Sequence, residues 1–131
     1  GGAGLISSVD DYIRFIYALA NGGVTESGQR ILSRATIDLM RMDTLNNENR
    51  ISYDWVQMAG YGYGLGVRTM IDPMRGGSNG PVGEFGWGGA AGQYILIDPQ
   101  NRLAMFYAQH MLNITEPWVH PRLRNILYSC L

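Results

Sequence analysis

The chain has 131 residues, of which 46% are hydrophobic and 16% charged, a composition that predicts about one domain with a buried core and excludes a disordered chain. The net charge of -1, with no basic or acidic run, argues against nucleic acid or a charged membrane surface as a partner. No apolar run reaches the length of a membrane span, and the single cysteine, Cys130, excludes an internal disulfide.

The N-terminal segment predicts an amphipathic helix. Ser7 or Ser8 can cap it, because an acidic residue follows each of them three positions later. The apolar positions recur at helical spacing and form one stripe, which consists of Val9, Tyr12, Ile13, Ile16, Leu19 and Ala20. The run Asn21-Gly22-Gly23 then ends the helix.

A second helix is predicted from the cap residue Ser33 to about Met42. Leu32 and Ile37 occupy the two positions of a hydrophobic staple around that cap, which strengthens the prediction. The polar segment 43–58 shows no clear periodicity, and we expect it to be an excursion from the core.

Most of the remaining chain predicts strands. Residues 60–71 predict one strand whose faces differ, with Tyr61, Tyr63, Leu65 and Val67 on one side and only glycine on the other. After a Gly/Pro-rich loop at 72–83, a glycine-rich strand leads into a second strand at 93–97, a turn at 98–101 and a third strand at 103–109. The prediction is thus an antiparallel sheet of about four strands.

The last predicted element is a helix that begins near Pro121, since proline suits a first helical turn. Its predicted apolar stripe consists of Leu123, Ile126, Leu127, Cys130 and Leu131. Helices therefore flank the predicted sheet at both ends of the chain. This order favours an α+β fold.

The segment Gly76-Gly77-Ser78-Asn79-Gly80 matches G-x-S-x-G, and Asp98 and His110 follow in the chain order of an α/β-hydrolase triad. The nucleophile elbow requires a strand before the serine and a helix after it, whereas this serine lies in a predicted loop. We therefore interpret the match as a flexible Gly/Ser loop.

Metal and cofactor sites are not predicted. His110 and His120 lie ten positions apart with no cysteine nearby, which is neither the ligand number nor the spacing of a zinc site. Asn113-Ile114-Thr115 matches a glycosylation acceptor, a short pattern that often arises by chance. Arg68, Arg75 and Arg102 are expected to be solvated surface residues.

The glycine-rich strand permits two interpretations. Glycine weakens a strand, so its abundance at 83–92 requires a reason. One is close packing under a helix. The other is an active-site strand along which a substrate lies against the backbone, with a backbone N–H directed at a developing oxyanion.

Four segments carry a resemblance to a known family: GGAGLISSVDDYIRFIYALANGG, RILSRATIDLM, GYGYGLGV and GEFGWGGAAGQYILIDPQNRLAMF. In this order they resemble the C-terminal portion of the β-lactamase-related serine hydrolases, which include class C β-lactamases, DD-peptidases and esterases. The resemblance implies a β-lactamase/transpeptidase-like fold, with residues 1–131 forming an incomplete domain. The missing N-terminal portion, or a complementary chain, would then be its partner.

Family members use a Ser-x-x-Lys motif, usually a Tyr-x-Asn motif, and a third motif that reads Trp-x-Gly in many esterase-like members. By resemblance the third motif is Trp87-Gly88-Gly89, the backbone N–H of Ala90 is an oxyanion-hole donor, and Ala91 lies along the same substrate-binding strand. All ten basic residues are arginine, so Ser-x-x-Lys is absent, and Tyr61-Gly62-Tyr63 does not match Tyr-x-Asn.

The resemblance implies acyl-enzyme hydrolysis of an ester, amide or β-lactam bond, to which this chain contributes the third motif but not the nucleophile. Trp87 in place of a lysine favours a neutral small-molecule ester or amide. Alone, the chain is expected to be inactive and to self-associate through an uncovered apolar face. The alternative is a non-catalytic binding module or decayed relative that keeps the cleft. The compartment, periplasmic or cytoplasmic, stays open.

Overall fold

The structure of the protein is a computed structural model that describes residues 4–53, 55–112 and 116–131. Its helices are α1 (Val9–Ala20), α2 (Arg34–Met40), α3 (Asn47–Tyr53) and α4 (Glu116–Tyr128), with a short 3-10 segment at Val56–Met58. Its strands are β1 (Tyr61–Tyr63), β2 (Arg68–Met70), β3 (Phe85–Gly88), β4 (Tyr94–Asp98) and β5 (Leu103–Tyr107). The predicted α+β class is confirmed.

The strands form one five-stranded antiparallel sheet in the order β1-β2-β3-β4-β5. The prediction of a single strand over 60–71 is wrong, because the chain reverses within it. The Gly64 N–H donates to the Val67 carbonyl over 2.8 Å, and Gly66 takes a φ of +77°, which places Tyr63 opposite Arg68. Leu65 therefore lies exposed at a hairpin tip instead of on a strand face.

Local capping chemistry sets the start of α1. The Ser8 hydroxyl accepts a hydrogen bond from the Asp11 N–H over 3.1 Å and donates to the Asp11 carboxylate over 2.9 Å. Among the predicted stripe residues, Ile16, Leu19 and Ala20 are buried. The predicted helix is thus confirmed with Ser8 as its cap, but its stripe is buried only in the second half, since Val9 is exposed and Tyr12 and Ile13 are half-buried.

Helix α2 begins as predicted and ends two residues early. The Ser33 hydroxyl accepts from the Thr36 N–H over 3.0 Å, and Ile37 is buried in a cluster against which Leu32 packs. The segment at 43–58, expected to be an excursion, contains helix α3 and the 3-10 segment. Helix α3 buries none of its residues, so it has no apolar stripe by which the sequence could show it.

Helices cover both faces of the sheet. One hydrophobic cluster joins α1 and α2 to the sheet and consists of Ile16, Leu19, Ala20, Ile37, Phe85 and Ile97. The second cluster joins α4 to the opposite face and consists of Tyr94, Leu96 and Tyr128. Leu96 and Ile97 serve different clusters because consecutive strand residues point to opposite faces.

Helix α4 differs from its prediction in where it begins and in what it buries. It begins at Glu116 and continues through Pro121. Its buried residues are His120, Arg124 and Tyr128, which recur every four residues along one face. The predicted apolar stripe is wrong: Ile126, Cys130 and Leu131 are exposed, and Leu123 and Leu127 are half-buried.

The polar face of α4 is buried because the sheet and the turn between β3 and β4 supply a hydrogen-bond partner for each of its three buried side chains. His120 contacts the Gly92 carbonyl, and Arg124 donates to the Tyr61 hydroxyl. The Tyr128 hydroxyl donates to the Asp98 carboxylate over 3.2 Å. A buried polar group costs little when it is hydrogen-bonded.

Among the described residues, no helix has both the length and the apolar character of a membrane span.

Candidate functional site

A cleft of about 200 Å³ lies between the end of β3, the 3-10 segment and the first turns of α4. Trp87, Gly88, Gly89 and Ala90 all line it, as do four residues of α4, which are Glu116, His120, Pro121 and Arg124. Ala91 does not line it; its carbonyl accepts a hydrogen bond from the Met111 N–H over 2.9 Å. The cleft thus brings together four of the five residues that the resemblance places at a substrate site.

The glycines of β3 are there for different reasons. At Gly86, with a φ of +157°, a Cβ would lie 2.1 Å from the Ile95 carbonyl oxygen, so close packing excludes any larger residue. At Gly88 a Cβ would make only ordinary contacts, the nearest being 3.4 Å from the Gln93 carbonyl oxygen. Packing within the described residues therefore requires glycine at position 86, whereas position 88 has room for a methyl group in ordinary contact with Gln93 and His120.

Ala90 lies in a tight turn after β3. The Gly89 N–H donates to the Gln93 carbonyl and the Gly92 N–H donates to the Gly89 carbonyl, each over 2.9 Å. These two bonds close the Gly89–Gly92 turn, and no backbone hydrogen bond among the described residues uses the N–H of Ala90, an exposed residue that lines the cleft. The Ala90 N–H is therefore available to a ligand.

A buried network of charged and polar groups forms the floor of the cleft. Arg68 and Glu84 are 3% and 0% exposed, with 3.9 Å between the Arg68 Nη2 and the Glu84 Oε1. The Tyr61 hydroxyl donates to the Glu84 Oε2 over 3.1 Å and accepts from the Arg124 Nη1 over 2.8 Å. The expectation that Arg68 is a solvated surface residue is therefore wrong, whereas Arg102 is exposed as expected.

Burial sets the protonation of this network. It raises the pKa of Glu84, although Arg68, Arg124 and the Tyr61 hydroxyl act in the opposite direction. Burial also raises the pKa of Tyr61 well above its ordinary value, so Tyr61 stays a neutral donor. The Arg68 guanidinium lies over the Tyr94 ring at 4.4 Å and stays charged.

His120 links α4 to the turn that holds Ala90. Its Nε2 lies 2.9 Å from the Gly92 carbonyl oxygen, and its ring stacks on Tyr94 with 4.4 Å between ring centroids. Tyr107 contacts the same ring edge-on at 6.2 Å. Burial lowers the pKa of His120, an effect that the hydrogen bond to Gly92 and the charge of Glu116 oppose.

Aromatic side chains extend from Trp87 to the outer wall of the cleft. Trp87 packs edge-on against Tyr63 at 5.4 Å, Tyr63 against Tyr53 at 5.5 Å, and Tyr53 against Trp55 at 6.4 Å. Burial raises the pKa of Tyr53 to about 12, so it is neutral at physiological pH. Trp87 and Trp55 both line the cleft, which gives it a largely apolar wall.

The described residues do not support the other sites considered from the sequence, the hydrolase triad and a metal site. Ser78 lies in the loop between β2 and β3, and its hydroxyl accepts from the Gly80 N–H, so the strand and helix that a nucleophile elbow requires are absent there. Asp98 is buried and accepts from Tyr128 and the turn at Gln100. Across residues 4–53, 55–112 and 116–131, no three His, Cys, Asp or Glu side chains group as metal ligands. Asn113-Ile114-Thr115 lies outside the described residues.

The resemblance predicts a third motif at residues 87–89, but the sequence did not predict the polar side chains that α4 brings to the same cleft. The only signal for them was the four-residue spacing of His120, Arg124 and Tyr128. The same helix also carries the apolar stripe described above, which predicts that another face of α4 is buried. Polar residues are usually solvated, so the apolar stripe was the better interpretation without knowledge of the sheet surface.

Comparisons with known proteins show the family and the fold of the chain. A family model described as Beta-lactamase matches residues 1–125. Two curated proteins of Mycobacterium tuberculosis are each 38% identical over 114 residues, covering 81% of this chain and 27% of theirs: "Uncharacterized protein MT1414" of strain CDC 1551 / Oshkosh and "Protein Rv1367c" of strain ATCC 25618 / H37Rv. The chain thus spans about a quarter of the curated relatives' length.

Among solved structures, "EstCE1, a hydrolase with promiscuous acyltransferase activity" matches with a TM-score of 0.74 and 22% sequence identity. The match covers 93% of this chain and 30% of the EstCE1 chain. At this identity the similarity concerns the fold. The α+β architecture that the sequence predicted is therefore shared with a solved hydrolase of this fold.

Proposed function

The chain belongs to the beta-lactamase family, and we propose that it is the C-terminal part of a serine hydrolase of that fold. The observation that carries the proposal is the position of Trp87, Gly88, Gly89 and Ala90 together on one wall of a cleft, with the Ala90 N–H free for a ligand. The hydrolase named EstCE1, which shares the fold, supports the same class of activity.

The proposed reaction is hydrolysis through an acyl-enzyme. A serine from the part of the enzyme that carries Ser-x-x-Lys attacks the acyl carbonyl, and the alcohol or amine leaves with a proton. Water then attacks the acyl-enzyme and releases the acid. In both steps the Ala90 N–H donates to the carbonyl oxygen as its negative charge develops, which is the contribution of this chain.

The proposed substrate is a neutral small-molecule ester or amide. Trp87 offers apolar surface and an indole N–H, not a positive charge. The two buried arginines of the cleft already have protein partners: Arg68 donates to the Ile95 carbonyl, and Arg124 donates to Tyr61 and to the Gly76 carbonyl, each over 2.8 Å. A substrate carboxylate would have to compete with these bonds.

Two substitutions at Ala90 test the proposal, in a protein extended upstream to include Ser-x-x-Lys. Ala90→Pro removes the N–H and should reduce kcat on the order of 100- to 1000-fold, whereas Ala90→Gly retains the N–H and should largely retain turnover. Melting temperatures of both variants establish that they are folded. Full activity in a folded Ala90→Pro protein would exclude the Ala90 N–H from the oxyanion hole.

The 131-residue chain alone should not hydrolyse activated esters, since it contains no lysine to complete Ser-x-x-Lys. Burst acylation of the purified chain by an active-site probe would show that it holds its own nucleophile and would refute this part of the proposal. If the upstream-extended protein binds esters without turnover, the chain serves instead as a binding module that keeps the cleft.

A further inference from the structure

We propose that His120 is a positioning residue: its imidazole N–H holds the Gly89–Gly92 turn in the conformation that presents the Ala90 N–H to the cleft. The inference rests on the proposed function, because it concerns the same N–H. It assigns a role to a side chain of α4 that lies outside the third motif.

His120 contacts the last residue of the turn and lies near the residue that precedes the turn. Its Nε2 is 2.9 Å from the carbonyl oxygen of Gly92, the last residue of the turn. Its Cε1 is 3.8 Å from the position that a Cβ on Gly88 would occupy, just before the turn begins. Tyr94 stacks on the ring, so the imidazole is clamped between the sheet and the turn.

The turn needs such a clamp because glycine leaves it few conformational restraints. Gly89 and Gly92 are its first and last residues, and Gly92 takes a φ of +87°. A displacement of about 1 Å in a catalytic group can cost on the order of 100-fold in rate. The buried Gly92 carbonyl would also lose its side-chain donor if His120 were replaced by an apolar residue.

The hydrogen bond also fixes the tautomer of the ring. A carbonyl oxygen only accepts, so the His120 Nε2 must carry the proton. Besides Glu116 on its own helix, the groups that face the ring are Tyr94, Tyr107 and the charge of Arg68, all on the sheet. Burial lowers the pKa of His120, so at neutral pH the ring is an uncharged donor.

The test compares three variants of the 131-residue chain by backbone 15N relaxation and the chemical shift of the Ala90 amide. His120→Phe keeps a ring to stack on Tyr94 but removes the donor. His120→Gln keeps an N–H donor at a similar distance. Tyr128→Phe removes a different buried anchor of α4, at the Asp98 end of the sheet. If His120→Phe does not fold, His120→Asn replaces it, because its amide is too short to reach Gly92.

We expect the Ala90 amide to shift and become mobile in His120→Phe, to return to its wild-type behaviour in His120→Gln, and to be unaffected by Tyr128→Phe. An Ala90 amide that does not change in His120→Phe would overturn the inference. So would equal changes in His120→Phe and Tyr128→Phe, which would indicate general loosening of α4. If His120→Gln does not restore the wild-type shift and mobility of the Ala90 amide, ring packing and not the N–H donor holds the turn, and the inference is overturned.

Kinetics of the upstream-extended enzyme separate this inference from the proposed function. If both hold, His120→Phe lowers kcat on the order of 10- to 100-fold with little change in KM, and His120→Gln recovers most of it. If the Ala90 amide responds as expected while Ala90→Pro retains full activity, the positioning role stands and the oxyanion role fails. If Ala90→Pro is inactive and His120→Phe is not, the positioning role fails.

Discussion

Arg68 and Glu84 form an ion pair in which both side chains are buried against the sheet. Arg68 lies on β2 and Glu84 immediately precedes β3, so the pair joins two neighbouring strands below the cleft. Truncating one member of such a pair leaves the other charge buried without its partner, which costs far more than loss of a surface pair.

Arg68→Met should lower the free energy of unfolding by about 3–5 kcal/mol at pH 7, because it leaves the buried Glu84 carboxylate without its ion-pair partner. Arg14→Met is the matched control, since Arg14 is exposed and forms only a 4.0 Å contact with Asp11. Urea unfolding of both variants measures the difference. Equal losses would contradict the assignment of Arg68 and Glu84 as a buried pair.

The cost of Arg68→Met should also depend on pH. The pKa of Glu84 is already raised by burial, and removal of Arg68 raises it further. A carboxyl whose pKa is higher in the folded than in the unfolded state favours folding at low pH and loses that advantage as pH rises through its folded pKa. The variant should therefore be less destabilised at pH 5 than at pH 8.

His120 gives a pH dependence of the opposite sign. Its pKa in the folded state is below the ordinary value of 6.5, so the unfolded chain takes up a proton first as pH falls. Its contribution to stability is complete above pH 6.5 and declines from there toward the lowered pKa. Thermal unfolding of wild type and His120→Gln across this range should show that the variant lacks this decline. His110→Gln, a change at an exposed histidine, should match wild type.

Features that local chemistry decides were predictable from the sequence. The capping hydroxyls Ser8 and Ser33 set the starts of α1 and α2 through bonds within three residues. The strands β4 and β5 follow from apolar runs on either side of one turn. In contrast, the β1–β2 hairpin was not predictable. Glycine and apolar residues alternate without a break through its turn at 64–67, so the pattern predicts one continuous strand.

Features that depend on a distant surface were not predictable. Whether α4 buries its apolar or its polar stripe depends on what the sheet offers beneath it. Because Tyr61, Gly92 and Asp98 present hydrogen-bond partners there, the polar stripe of α4 is buried. The third motif stays a prediction from resemblance to a family, whereas the side chains that α4 brings to the cleft were not predicted, since none of them belongs to a motif.

The chain alone should self-associate. Apolar side chains are exposed on α4 and near the N-terminus, among them Trp118 (65%), Ile126 (64%) and Ile6 (100%). Light scattering should show oligomers, and a hydrophobic dye should bind. The double variant Trp118→Gln/Ile126→Glu should reduce both signals, and Arg122→Glu, a polar change on the same helix, should not. A monodisperse wild-type chain that binds no dye would contradict the prediction.

Substitutions at Gly86 and Gly88 can distinguish a glycine required by close packing from one that leaves room for a substrate. Gly86→Ala forces a Cβ to 2.1 Å from the Ile95 carbonyl and strains the backbone, so unfolding should become easier by about 1–3 kcal/mol or more. Gly88→Ala meets only ordinary contacts and should change stability by less than about 1 kcal/mol. Urea unfolding of the 131-residue chain measures both changes.

In the upstream-extended enzyme, Gly88→Ala should instead raise KM for ester substrates, because its methyl group would narrow the cleft beside the strand along which the substrate is expected to lie. The comparison with Gly86→Ala is needed because both changes add the same methyl group to the same strand. If Gly88→Ala destabilises the chain as strongly as Gly86→Ala does, the space above Gly88 is filled by the protein itself. The glycines of β3 would then reflect packing along the whole strand, and the substrate would have to bind elsewhere in the cleft.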